Sequence, residues 1–298
     1  MKILVVGLVE NEQMDRLWRE GYKRGHNIVG CYSSELVVLA ELNNFLPTLR
    51  SKKIEDFDLL YFWAPGKKRW DWYATANYLH KKYSMIVVNK KNLGRYNPSI
   101  LEDLYVQSDS GIDFPKSAVI FSVKSVNSIV GNFKFPVIVK MANGKQGKNV
   151  YKVENKKELK EVVAKLEKDT GEAIVIREFI PNDGDIRVFT IGYKAVGAMK
   201  RTPKEGEFRS NISQGGTGSK FDLSKYSNIK KLAEKASIAA GVEIAGVDVI
   251  IDLRDNKPYI LEVNPGPQFM GIEKYTGINI AGKIINYFEE LYSKNGKR

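Results

Sequence analysis

At 298 residues, 43 % hydrophobic and 28 % charged, the chain is long enough for two or three subdomains and ordinary in composition for a globular protein. Its single cysteine, Cys31, excludes an intramolecular disulfide and a cysteine metal cage, which suits a reducing, cytoplasmic setting. The net charge of +12 fits a lysine-rich solvated surface or an acidic partner, but short, scattered clusters such as Lys67-Lys68-Arg69 and Lys90-Lys91 lack the continuous basic face of a dedicated nucleic-acid binder.

The chain opens Met1-Lys2-Ile3-Leu4-Val5-Val6-Gly7, without the apolar region and cleavage site of a signal peptide, and no apolar run approaches the about 20 residues of a membrane span. Four runs of strand length follow one another: Ile3 to Val6, Ile28 to Tyr32, Leu59 to Trp63 and Met85 to Val88. Helix-like stretches lie between them, one with Met14, Leu17 and Trp18 on a face, another with Trp70, Tyr73, Ala74 and Asn77. Such alternation predicts a small parallel sheet covered by helices.

Asn97-Pro98 suits a helix start, with Ile100, Leu101, Leu104 and Tyr105 as its apolar face and Gly111 as its end. Phe135 to Lys140 reads as a strand, Leu159, Val162, Val163 and Leu166 as a helix, and Ala173 to Ile176 as a strand. Beyond Pro181, Ile186 to Ile191 and Ala195 to Met199 flank Gly192-Tyr193 as a hairpin. A helix through Ile229, Leu232, Ala233, Ala236 and Ala240 ends at Gly241. Strands Val247 to Ile251 and Tyr259 to Val263 then enclose Arg254-Asp255-Asn256, and a last helix carries Ala281, Ile284, Ile285, Phe288 and Leu291. Boundaries near 90 and 180 divide the chain into units 1–90, 91–180 and 181–298.

Three groups could carry chemistry. Glu262 and Asn264 share a strand face, and a hairpin centred near Asp255 would set Asp248 opposite Glu262. Three oxygen donors suit a hard cation such as Mg²⁺. The alternative is a pair of solvent-facing acids, but the flanking Val247, Val249, Ile260, Leu261 and Val263 suggest covered strands, where carboxylates need a counter-charge. Second, Lys140 ends an apolar strand before Gly144 and Gly147, whose loop could turn backbone N–H groups toward phosphate, although a lysine-rich turn has the same composition and no Walker motif is present. Third, Lys200, Arg201, Lys204 and Arg209 could stabilise a transferring phosphoryl group or line a solvated loop. Asp185 and Arg187 share a strand face as a salt bridge or a site pair. The only histidines, His26 and His80, support neither a hydrolase triad nor a zinc site.

These groups, in this order, resemble the ATP-grasp superfamily and its RimK-like ligases. The similarity runs through Gly111-Ile-Asp-Phe-Pro115, Val139-Lys140, Gly144-Lys-Gln-Gly147, Arg177-Glu178-Phe179-Ile180, Asp185-Ile-Arg187, Glu207-Phe-Arg-Ser-Asn211, Ala245-Gly-Val-Asp248, Leu261-Glu-Val-Asn264 and Gly271-Ile-Glu-Lys-Tyr-Thr-Gly277-Ile. The resemblance implies an α/β fold with a Rossmann-like pre-ATP-grasp domain, followed by two α+β lobes that clasp ATP. Lys140 and the Gly144–Gly147 loop would meet its phosphates, and Glu178, Phe179 and Ile180 would line adenine and ribose as the hinge. Asp185, Arg209, Ser210 and Asn211 would complete the nucleotide contacts. Lys140, Arg201 and Arg209 are the expected catalytic cations, and Asp248, Glu262 and Asn264 the ligands of Mg²⁺, with Mn²⁺ as an alternative.

The implied activity is an ADP-forming ligase that joins an amino acid, glutamate among the candidates, to a carboxylate by way of an acyl-phosphate. Expected partners are ATP, the amino acid, an acidic peptide, carrier protein or small cofactor, and a second copy of the chain in a homo-oligomer. The chain departs from the family's pattern where relatives carry a lysine and this sequence has Ser99-Ile100, at Gln214 in place of an arginine, and at Asn264-Pro-Gly-Pro-Gln268. An ATP-binding protein of this fold without ligase activity is the alternative reading, and nucleic-acid binding ranks last.

Overall fold

A computed structural model describes residues 1–94, 100–142, 149–170, 172–207 and 215–295. The chain begins with β1 (Lys2–Val6), α1 (Glu12–Tyr22) and β2 (Asn27–Cys31), then a hairpin, β3 (Leu36–Glu41) and β4 (Asn44–Leu49), with the short β5 (Lys52–Lys53) beside it. Next come β6 (Leu59–Phe62), α2 (Arg69–Tyr83), β7 (Ile86–Val88) and α3 (Lys90–Leu93). The strands β2-β1-β6-β7 form a sheet whose pairs are all parallel. Past Lys2 and Asn27 at the starts of β1 and β2, its strands carry no charged or amide side chain, as expected where both faces are covered. Ile3, Val5, Leu59 and Tyr61 belong to one core with Leu17 of α1, and Leu4, Val6, Leu60 and Phe62 to another with Trp72, Ala76 and Leu79 of α2.

Two helix faces differ from the sequence expectation. In α1, Met14 and Leu17 are buried, but Trp18 is 46 % exposed and stacks on Tyr22, one turn on. In α2 the inward residue is Trp72, fully buried with its Nε1 donating to the Ser33 carbonyl, while Trp70 stands largely outside. Helical spacing placed Trp18 and Trp70 on apolar faces, whereas the packed stripe runs through Leu17 in the one helix and Trp72 in the other.

The middle of the chain holds α4 (Ile100–Asp109), β8 (Ser117–Ile120), α5 (Val126–Ile129), β9 (Val137–Met141), β10 (Val150–Val153), α6 (Lys156–Thr170) and β11 (Ile174–Glu178). Its antiparallel sheet runs β10-β9-β11-β8, and α6 covers one face through Leu159, Val163 and Leu166. The expected apolar face of α4 is not buried: Leu101 and Tyr105 are exposed.

The last part supplies β12 (Asp185–Ile191), β13 (Lys194–Thr202), β14 (Thr217–Phe221), α7 (Ser227–Ala240), β15 (Ile244–Ile251), β16 (Pro258–Asn264), α8 (Met270–Thr276) and α9 (Ile280–Asn295). Its antiparallel sheet runs β14-β13-β12-β15-β16. One face packs on α7 through Ile186, Val188, Val247 and Ala233. Along the other face, Phe189 and Ile191 join the core shared by α8, α9 and the α1 side of the parallel sheet. Among the described residues the start of that face belongs to no apolar core, and buried charged residues gather there.

Candidate active site

A strand presents alternate residues on one face, so β12 carries Asp185 and Arg187 together. Arg187 lies opposite Asp248 of β15, Asp248 opposite Glu262 of β16, and Asp185 opposite Arg201 of β13. Antiparallel pairing therefore gathers five ionic side chains from four strands. The Asp248–Glu262 register is the one the sequence suggested.

Arg187 donates through Nε and Nη2 to the two oxygens of Asp248, each at 2.7 Å. Arg201 donates to Asp185 at 2.5 Å and to Asp248 at 2.9 Å. Asp185 and Arg187 thus pair across the sheet, not with each other. Two cations and two anions balance, which is what buried charge requires. Burial would push the Asp248 carboxyl up, but Arg187 and Arg201 outweigh it and hold it well below the usual carboxylate range. Burial and the charge of Asp248 push Asp185 up to about 6, against the pull of Arg201. Asp248 is therefore the anion of this pair that keeps its charge to the lower pH.

Glu262 differs from the expectation of a covered strand. β16 is the sheet's edge, and Glu262 is exposed, accepting from Asn264 Nδ2 at 2.7 Å. The pairing slips between Asp248 and Val249, so Leu261 bulges out of the ladder. The bulged carbonyl accepts from Arg177 Nη1 of β11 at 3.3 Å, and Ile260 N–H donates to the Asp113 carbonyl at 2.9 Å. The middle and last sheets meet at this edge.

Arg177 is buried, donates through Nε to Ser117 Oγ at 3.0 Å, and is pushed down to about 10 by burial, with Glu262 opposing. On neighbouring β9, Lys140 is pushed down to about 8 by burial and by Arg177, while Glu262, Asp103 and Asp248 pull the other way. A buried lysine whose charge is disfavoured by burial and by Arg177 is a ready receiver for further negative charge.

The expected hinge residues lie at the end of β11 and in the segment that leads to β12. Glu178 donates its N–H to the Lys116 carbonyl at 2.8 Å and accepts from Arg254 at 3.3 Å. The Lys152 ammonium stands 4.7 Å from the Phe179 ring centre, and Ile180 is buried. Gly184, at φ +125°, is required: a Cβ there would lie 2.2 Å from the Arg201 carbonyl oxygen. This close approach seats Arg201 beside Asp185.

Gly144, Gly147, Arg209, Ser210 and Asn211 lie outside the described residues, as do Asn97, Pro98, Ser99 and Gln214. Among the described residues, no three His, Cys, Asp or Glu side chains form a metal-holding group. The donor set of Asp248, Glu262 and Asn264 is two carboxylates and an amide, all oxygen, which fits a hard cation completed by substrate oxygens and water.

Sequence reasoning did not assign Arg177, the counter-ion role of Arg187, or Asn89. Buried Asn89 donates to the carbonyls of Phe62 at 3.3 Å, Ile244 at 3.4 Å and Pro265 at 3.2 Å. It ties the loop after Asn264 to the carboxyl ends of the parallel strands, where open α/β sheets gather ligands. An arginine next to the apolar Ile174-Val175-Ile176 was the signal available for Arg177.

A model of the RimK-like ATP-grasp domain matches residues 95–288, the stretch that holds every group above except Asn89. The chain belongs to the RimK-like ATP-grasp family. Two similar relatives, each named "Probable alpha-L-glutamate ligase", come from Trichodesmium erythraeum and Marinobacter nauticus. The first is 29 % identical over 295 residues, covering 94 % of this chain and 92 % of the relative. The second is 32 % identical over 291 residues, covering 93 % and 91 %. The ATP-grasp ligase PsnB, solved with a minimal precursor, Mg and ADP, superposes with a TM-score of 0.72 at 16 % identity over 97 % of both chains, a likeness of fold. The family's reaction class is ATP-dependent carboxylate–amine ligation, which disfavours the reading of a binding protein without chemistry.

Proposed function

We propose that this chain is an ADP-forming ligase that joins an amino acid, glutamate first among candidates, to the carboxylate of an acidic peptide, carrier protein or small cofactor in the cytoplasm. The observation that carries this reading is the Asp248–Glu262 pair at an edge that Arg177 of β11 joins through the Leu261 carbonyl, with Lys140 on the neighbouring strand opposite Val175. The reading divides the chain at 1–90, 91–180 and 181–298, with nucleotide between the second and third units. Lys140 receives phosphate oxygens, and Glu178, Phe179 and Ile180 flank the base. Asp248, Glu262 and Asn264 hold Mg²⁺, or Mn²⁺ in its place, which supplies charge neutralisation when bound.

In the first step, a carboxylate oxygen of the acceptor attacks the γ-phosphorus and the bond to the ADP oxygen breaks. In the second, the amine nitrogen attacks the acyl carbon, loses a proton, and phosphate leaves from the tetrahedral intermediate. The protein's share is orientation and charge stabilisation, as in other phosphoryl transfers. Lys140 and Arg209 act on the phosphoryl group, and Arg201 acts from its place beside Asp248. Gly144, Gly147, Ser210 and Asn211 belong to the same nucleotide enclosure.

The test is ADP release from Mg-ATP across the amino acids, with and without acidic acceptor peptides. Release stimulated by one amino acid supports the ligase. ATP-dependent thermal stabilisation without stimulated release would favour a silent nucleotide binder, and no stabilisation would remove the nucleotide site.

A further inference from the structure

β16 leaves its sheet at Asn264, and what fixes that exit comes from outside the sheet. The ladder with β15 ends at the pair Gly246–Asn264, and Pro265 has no N–H with which to continue it. Continued register would set residue 266 opposite Ile244. The carboxamide of Asn89, at the end of β7, takes that place instead. Its Oδ1 accepts from the Ile244 N–H at 3.1 Å, and its Nδ2 donates to the Ile244 carbonyl at 3.4 Å and to the Pro265 carbonyl at 3.2 Å. One side chain of the parallel sheet's edge thus adds a rung to the last sheet and holds the residue that follows Asn264.

Asn89 serves this junction and not its own helix. It is 1 % exposed and stands at the start of α3 with φ +64°, a left-handed conformation that asparagine tolerates better than most residues. An asparagine at a helix start ordinarily accepts from the N–H groups of that helix, and Asn89 does not. Its own N–H donates to the Glu243 carboxylate at 2.6 Å, so backbone and side chain are tied to adjacent residues of one strand.

The far end of the loop is held from α1. Buried Gln13 accepts from the Phe269 N–H at 2.7 Å, and Arg16 donates to Glu273 of α8 at 2.9 Å. Between the two ends, Gly266 passes so close to Trp63 that a Cβ would lie 2.5 Å from the Trp63 carbonyl oxygen. Pro267 lies over Gly246, where a Cβ would come within 2.9 Å of the proline ring. Two prolines, one close backbone approach and two buried amides leave residues 265–269 a single path.

We infer that Asn89 is a positioning residue for the metal edge, with Gln13 as its counterpart at the other end of the loop. Together they fix where β16 departs and so aim the Asn264 side chain, whose Nδ2 meets Glu262 at 2.7 Å. The strength of Mg²⁺ binding then depends on residues of β7 and α1 that touch neither metal nor nucleotide. The inference rests on the proposed metal ligands Asp248, Glu262 and Asn264. A purely cohesive role for Asn89 would change stability alone, whereas positioning changes what Mg²⁺ adds to nucleotide binding.

The test is the ATP affinity of the intact chain by calorimetry, in Mg²⁺ and in excess chelator, for wild type and Asn89→Gly. Glycine keeps the left-handed backbone and removes the carboxamide. The expected result is a Mg²⁺ enhancement about tenfold smaller in the variant, with affinity in chelator within about twofold of wild type. Leu79→Ala, a cavity in the α2 core, should lower stability and keep the wild-type enhancement. Should Asn89→Gly fail to fold, Gln13 carries the test. Gln13→Met removes the acceptor at similar volume and should shrink the enhancement, and Gln13→Glu, an acceptor in the first turn of α1, should recover most of it. An unchanged enhancement in Asn89→Gly, or in Gln13→Met where that stands in, overturns the inference, and so does an equal loss in Leu79→Ala. A wild type whose ATP affinity ignores Mg²⁺ overturns the metal assignment itself, and the inference with it.

Discussion

The parallel sheet at the start of the chain and the antiparallel sheet at its end solve burial in opposite ways. In the first, Leu4, Val6, Leu59 and Leu60 are apolar and inaccessible on both faces. In the second, one face changes character along its length: Phe189 and Ile191 are packed, while Asp185 and Arg187, four and two residues before Phe189, are ionic. The ionic end has its own gradient. Asp185, Arg201 and Asp248 are buried and mutually paired, whereas Glu262 and Asn264 at the edge are accessible. The buried members fix the geometry of Asp248, and the accessible ones remain available to a ligand. Stability and function should therefore separate along this row.

Arg187→Gln should have the largest effect on stability. It strips the bidentate partner from buried Asp248 and should cost about 3–5 kcal/mol by chemical denaturation. Part of that loss should return with Mg²⁺ and nucleotide, which bring replacement charge to the same carboxylate. Leu60→Ala, in the apolar sheet, should cost about 3 kcal/mol through the cavity it leaves, and ligands should return none of it beyond their ordinary binding. If both variants respond alike to Mg-ATP, the distinction between the two sheets fails.

Glu262→Gln should leave the melting temperature near wild type, because the side chain is exposed. It should lower ADP release more than about 100-fold, beyond the loss from an outer-sphere contact. Lys140→Met should weaken ATP binding by about 10–100-fold in calorimetry, the value of a charge-assisted contact. The smallest effect is in pH. The Lys140 ammonium titrates near about 8 in the free protein, and bound phosphate must raise that value. Affinity for ATP should then be full below pH 8 and fall by up to about tenfold toward pH 9, a slope that Lys140→Met abolishes.

Much of this site was legible because the fold writes it in short-range patterns. The strands around Asp255-Asn256 are mostly apolar runs with a turn between them, and the turn brings Asp248 close to Glu262, while the Leu261 bulge, which no local pattern announces, sets the two opposite each other. The four parallel strands were legible for the same reason. What escaped notice depends on distant contacts. Arg177 is a site residue only because another sheet's bulge presents the Leu261 carbonyl to it. Glu262 reads as covered from its neighbours, but lies on an edge, which is a property of strand order. β3 breaks the expected alternation, since Val37, Val38, Leu39 and Ala40 are exposed on both faces of the strand. β14 follows glycines and carries few apolar residues, so no periodicity announces it.

The most direct test of the account is the effect of Mg²⁺ on nucleotide binding, read as the ATP-induced rise in melting temperature of wild type, Glu262→Gln and Lys140→Met. In wild type, adding Mg²⁺ should enlarge the rise that ATP alone gives. Glu262→Gln should keep the ATP rise and lose the Mg²⁺ increment, and Lys140→Met should lose most of the ATP rise itself. An undiminished Mg²⁺ increment in Glu262→Gln would contradict the assignment of the metal to the Asp248–Glu262 edge.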